Sequence, residues 1–101
     1  MSLRNEQSKF VEMIGKLIQY AYSIGYELTF GCARCAKEGH HVKNSLHYDA
    51  LAIDLNLFID GKLIYDSTGH DKLHDYWDSI GGAKRIDKDM NHYSLEYGGR
   101  R

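Results

Sequence analysis

Two stretches of the chain carry residue types that could hold a metal ion and hydrolyse an amide. The first contains His47 and Asp54; the second, Asp89-Met90-Asn91-His92, lies close to the C-terminus. Two histidines and one aspartate leave a zinc ion an open fourth position for water, the arrangement of a catalytic rather than a structural site. Asp89, three residues before His92, then remains outside the ligand set as a general base. Zinc lowers the pKa of a bound water to roughly 7. A nearby carboxylate can accept the remaining proton and pass it to a leaving amine, which is the chemistry of metal-assisted amide hydrolysis.

These residues need particular elements to bring them together. His47 and Asp54 are seven apart, so on one regular strand they would point to opposite faces. If both bind one ion, His47 belongs to a loop or bend before the strand, with Tyr48-Asp49 as its place. Ala50 to Ile59 is the best strand in the chain. Leu51, Ile53, Leu55 and Leu57 point into a core, while Ala52, Asp54 and Asn56 point the other way. His92 opens a strand running to about Tyr97, with His92, Ser94 and Glu96 on one face and Tyr93, Leu95 and Tyr97 on the other. If these two strands are neighbours, Asp54 and His92 reach the same ion.

The remaining elements complete a small domain. Phe10, Met13, Ile14, Leu17, Ala21 and Ile24 form one apolar stripe, which predicts a helix over ~4–24 stopped by Gly25. Tyr26 to Phe30 favours a short strand, and Gly31 to Asn44 reads as a loop. Asp60-Gly61 is a two-residue hairpin signal, with Lys62 to Tyr65 returning antiparallel. Ser67 or Thr68 can cap a second helix of roughly 69–80, with Leu73, Tyr76, Trp77 and Ile80 as its apolar face and Gly81-Gly82 as its end. The order suggests one α+β domain over residues 1–101, with a mainly antiparallel sheet packed against helices.

Other clusters compete for a role. Cys32 and Cys35 are spaced C-x-x-C and are followed by His40 and His41. They could form a structural zinc site, a redox pair or two reduced thiols in a loop. A non-catalytic zinc-binding module built on these four residues is therefore a rival to the enzyme reading. His70 and His74 have the i, i+4 spacing of helical zinc ligands, but Asp71 stands where H-E-x-x-H needs Glu. Asn56 shares a face with Asp54 and is either a supporting group of the site or a solvated strand residue.

Composition narrows the classes. The 101 residues carry a net charge of -1, 43% hydrophobic and 27% charged residues, which suits a soluble globular chain. Lys84-Arg85 and Arg100-Arg101 are too short for a nucleic-acid footprint. No stretch approaches the ~20 apolar residues of a membrane span. The N-terminus lacks the apolar core of a signal peptide, so synthesis in the cytoplasm is expected. A monomer with no nucleic-acid or membrane partner is expected as well.

Ser45-x-His47 followed by Ala52-x-Asp54 resembles the Ser-x-His-x-x-Gly-x-Ala-x-Asp signature of the zinc D-alanyl-D-alanine carboxypeptidase and L-alanyl-D-glutamate endopeptidase family. Asp89-x-x-His92 resembles that family's acidic base and third ligand. The likeness is strongest to small phage endolysins and extends through Leu51–Phe58, the Trp77 helix ending in Gly81-Gly82, and Asn91–Ser94 with Tyr97–Arg100. It implies a hedgehog/DD-peptidase-like fold, Zn2+ held by His47, Asp54 and His92, and Asp89 as catalytic base. It further implies an upstream arginine that steadies the oxyanion or substrate, for which Arg34 is the candidate, and a substrate-side role for Ser45. Ala50 departs from the pattern, standing where the motif has Gly. The implied activity is hydrolysis of peptidoglycan stem peptides, by an enzyme made in the host cytoplasm that reaches the cell wall after release. A relative that keeps the fold and binds wall peptides without cutting them is the other alternative.

Overall fold

The computed structural model describes residues 2–31, 50–64, 67–86 and 89–97. The described elements, in chain order, are α1 (Leu3–Ser23), β1 (Glu27–Phe30), β2 (Ala52–Ile59), β3 (Lys62–Ile64), α2 (Ser67–Ser79) and β4 (His92–Ser94). They build the α+β domain that the pattern implies: two helices against an antiparallel sheet of four strands.

Capping explains where the helices begin and end. The Ser2 hydroxyl accepts the Asn5 N–H at 3.1 Å and so satisfies one of the first-turn donors of α1. At the other end Tyr26 N–H donates to the Ala21 carbonyl and Gly25 N–H to the Tyr22 carbonyl, a Schellman motif with Gly25 at φ 85°. The same motif closes α2: Gly82 N–H donates to the Trp77 carbonyl, Gly81 N–H to the Asp78 carbonyl, and Gly81 sits at φ 98°. The left-handed C′ position excludes most side chains, which is why glycine marks both stops in the sequence. The start of α2 is less regular than its pattern suggests. Thr68 and Gly69 are non-helical, so Ser67 and Thr68 lead through a break into the regular turns that begin at His70. Arg85 then ties the chain after α2 back to that helix, 3.2, 2.6 and 3.3 Å from the carboxylates of Asp71, Asp75 and Asp78.

Strand β2 organises the sheet. It pairs with β1 along Leu55–Phe58, with β3 through the Asp60-Gly61 turn, and with β4 at its N-terminal end. Asp60 and Gly61 both have positive φ, the type I′ geometry that matches strand twist in a two-residue hairpin. Leu51, Ile53, Leu55 and Leu57 are all buried with Phe10, Met13, Ile14, Leu17 and Ala21 of α1 and with Leu73 and Trp77 of α2. Trp77 meets Phe10 edge to face at 5.9 Å, and Tyr20 stacks on Tyr76 at 4.4 Å, joining the two helices.

Strand β4 departs from the alternation read from sequence. His92, Tyr93, Ser94 and Leu95 are all buried, and only Glu96 in that run is exposed. A short strand covered on both sides carries no polar–apolar alternation. Among the described residues no helix is long and apolar enough to cross a membrane.

Candidate functional site

The pairing of β2 with β4 places two of the predicted ligands side by side. Asp54 and His92 are direct cross-strand partners, in the register Ala52–Ser94, Ile53–Tyr93, Asp54–His92. Partners in an antiparallel pair project their side chains from the same face. Here His92 Nδ1 lies 3.8 Å from Asp54 Oδ1. The His92 side chain is 7% exposed and that of Asp54 20%, so the pair is sheltered but open on the carboxylate side.

The backbone around Asp54 is held from both edges of β2. Its carbonyl accepts the Gly31 N–H at 2.7 Å on the β1 side, and the next N–H, that of Leu55, donates to the Asn91 carbonyl at 2.9 Å on the β4 side. Gly31 packs so close that a Cβ there would stand 3.0 Å from Asp54 Cβ. Two residues before β2, Ala50 has φ 56°. The position where the zinc-peptidase motif carries glycine is thus left-handed here, with alanine in it.

Asp89 is exposed and lies in the turn that leads to His92. Its N–H donates to the Ile86 carbonyl, and its own carbonyl accepts the His92 N–H, both at 3.1 Å. The base candidate and the ligand candidate are therefore joined by one tight turn, with the carboxylate on the solvent side. Asn56, the possible supporting group, instead donates to Thr29 Oγ1 across the β1–β2 pair at 3.3 Å.

Behind β4 lies a buried ring cluster built from α2 and β4. His70 and His74 are both fully buried. His70 Nδ1 and the Tyr93 hydroxyl are 2.7 Å apart, and His74 stacks on the Tyr93 ring at 4.2 Å. His74 Nε2–H donates to the Met90 carbonyl at 2.7 Å. Burial holds His74 below the ordinary histidine pKa. Neighbouring Arg85 and His92 add to that, while the Met90 carbonyl and Asp78 pull the other way. Burial likewise raises the Tyr93 hydroxyl well above its usual range. These two histidines are core residues in hydrogen bonds, not a surface pair open to a metal. Their signal was present in the sequence, because His70, Leu73, His74 and Trp77 make one continuous helical stripe.

The donor chemistry of Asp54 and His92 suits zinc, which takes imidazole nitrogen and carboxylate oxygen at about 2.0–2.2 Å. Two donors on a tetrahedral ion at those lengths are roughly 3.4 Å apart, so the observed 3.8 Å needs only a small side-chain adjustment. Among the described residues no group of three or more His, Cys, Asp or Glu side chains could hold a metal ion. A zinc ion held by this pair would need its third ligand from outside the described residues. Predicted residues Arg34, Ser45 and His47 lie outside the described residues, as do Cys32, Cys35, His40 and His41 of the alternative zinc module. An apolar groove lined by Ile18, Tyr22, Leu28, Thr29, Phe30 and Leu55 opens between α1 and β1. Leu55 and Asp54 are consecutive in β2 and point to opposite faces, so the groove is separate from the carboxylate–imidazole pair. No protein-family model, curated protein or solved structure matches the chain significantly.

Proposed function

We propose that the chain is a zinc-dependent peptidase that hydrolyses peptidoglycan stem peptides, as an L-alanyl-D-glutamate endopeptidase or a D-alanyl-D-alanine carboxypeptidase. The observation that carries this reading is the cross-strand meeting of Asp54 and His92, two residues remote in sequence, with their donor atoms 3.8 Å apart. The Ser45-x-His47 and Ala52-x-Asp54 pattern supports it independently of the fold.

In this reading His47, Asp54 and His92 hold the ion. When bound, zinc acidifies a water molecule and polarises the scissile carbonyl as a Lewis acid. The chain's own groups do the rest. The backbone at Asp54 is held by hydrogen bonds to β1 and to the β4 side, so its carboxylate projects from a fixed point on the strand. Asp89 accepts the proton released as water adds to the carbonyl carbon and delivers it to the amine as the C–N bond breaks. Arg34 steadies the negative charge that develops on the carbonyl oxygen, and Ser45 contacts the substrate. The enzyme is made in the host cytoplasm, works as a monomer and meets the wall after release.

Metal content and turnover test the reading together. The purified protein is expected to bind one zinc per chain and to release peptides from purified peptidoglycan. His47→Ala and His92→Ala should each lose most of the metal, because two ligands hold the ion weakly. Full zinc retention in both variants overturns the ligand assignment. Zinc that is lost on blocking the thiols of Cys32 and Cys35 points to the alternative module instead.

A further inference from the structure

We propose that His74 is a positioning residue: its Nε2–H, bonded to the Met90 carbonyl, fixes the turn that carries Asp89 and His92. The functional consequence rests on the peptidase reading; the positioning itself rests on the geometry.

An imidazole is a costly choice for a fully buried helix position, since a polar ring loses water there and an aliphatic residue would not. Its one hydrogen bond among the described residues goes to the backbone of another segment, at 2.7 Å. A carbonyl can only accept, so the proton is on Nε2. Nδ1 is buried with no hydrogen-bond partner among the described residues, so the ring makes no second bond that would account for its presence.

The recipient matters more than the bond. Met90 lies between Asp89 and His92, in the turn closed by the Asp89 carbonyl and the His92 N–H. Asn91, the next residue, is pinned to β2 through the Leu55 N–H. The turn is thus held on one side by the strand that carries Asp54 and on the other by His74 from α2. The ring cannot easily swing away, because it lies against Tyr93 at an interplanar angle of 14°, and Tyr93 is in turn joined to His70. His74 therefore sets the distance between the helix layer and the turn, and with it the approach of Asp89 and His92 to Asp54.

Nitrogen-15 NMR of the whole chain labelled at histidine, recorded without metal, reads the tautomer directly. The Nε2–H form is expected for His74; the Nδ1–H form overturns the proposal. Zinc affinity, measured by competition with a chromophoric chelator, reads the consequence. His74→Phe keeps a flat ring on Tyr93 and removes the donor, and affinity should fall about 10–100-fold, the range for supporting partners of metal ligands. His74→Gln places an amide N–H near the Nε2 position and should recover most of it. Equal affinity in the wild type and His74→Phe overturns the proposal. A wild-type chain that binds no zinc overturns the peptidase reading alone. Amide exchange at His92 then decides the positioning: about ten-fold faster exchange in His74→Phe supports it, and an unchanged rate overturns it. Should His74→Phe fail to fold, the wild-type tautomer still decides.

Discussion

Asp54 and His92 face each other across the β2–β4 pair, with Oδ1 and Nδ1 3.8 Å apart. Neither element would hold this relationship alone. β4 is three residues long and is kept in register by the Leu95 N–H to Leu51 carbonyl bond at one end and by Leu55 N–H to Asn91 at the other. The two side chains therefore meet because backbone bonds on both sides of the pair fix where they start.

The roles assigned to the two aspartates separate on substitution. Asp89→Asn keeps the size of the side chain and removes the proton acceptor. Zinc content should stay near one per chain while hydrolysis falls by roughly 100-fold or more. Asp54→Asn weakens a charged ligand, so metal and activity should fall together. Loss of zinc from Asp89→Asn would make that residue a ligand; near-normal cleavage by it would move the base to Glu96, which is exposed, or to Asp87, which lies outside the described residues.

Ala50 is held at φ 56°, where a side chain costs about 1–2 kcal/mol relative to the right-handed region. Glycine there removes the strain at some cost in unfolded-state entropy. Ala50→Gly should raise stability by roughly 0.5–1 kcal/mol, read as a higher urea midpoint at unchanged slope. A lower midpoint would contradict the left-handed geometry.

Gly82 lies against the Trp77 indole so closely that a Cβ would overlap the ring. Trp77 cannot retreat, because its Nε1–H donates to the Ser94 carbonyl at 2.8 Å and its ring packs on Phe10 and Tyr93. Gly82→Ala should cost about 1–3 kcal/mol, the usual scale of overpacking. Denaturant unfolding checks this, and a stability equal to wild type would place the indole elsewhere.

His74 also gives stability a pH dependence. Its folded pKa lies below 6.5, so the unfolded chain binds the proton more readily. The contribution of neutral His74 is complete above the unfolded value and is lost as pH falls below it, towards the folded value. The slope from one such group cannot exceed about 1.4 kcal/mol per pH unit. Unfolding curves between pH 7 and 5 should therefore fall less steeply for His74→Gln than for the wild type. Equal slopes would show that the buried ring is not the group that takes up the proton.

Much of the fold can be read from the sequence, because its signals are local. The Phe10–Ala21 stripe, the alternation Leu51–Leu57, the Asp60-Gly61 turn and the glycine stops each follow from short-range chemistry, and each is found in place. The partnership of Asp54 with His92 is different. The residues are legible as candidate ligands, but no local pattern says which strands pair, so their meeting could be stated only as a condition. His70 and His74 were obscured for another reason. Histidine counts as polar in a periodicity argument, yet these two complete the buried stripe of α2 by bonding Tyr93 and the Met90 carbonyl. The alternation expected in β4 failed because both of its faces are covered.

Hydrolysis of a wall peptide by the zinc-loaded chain is the activity proposed for this protein. Mass spectrometry of purified peptidoglycan after incubation with that protein tests it most directly. New fragments cut at one stem-peptide amide are expected, absent when the metal is chelated, and their masses identify the bond as L-alanyl-D-glutamate or D-alanyl-D-alanine. Unchanged peptidoglycan masses with a protein that carries one zinc per chain would contradict it.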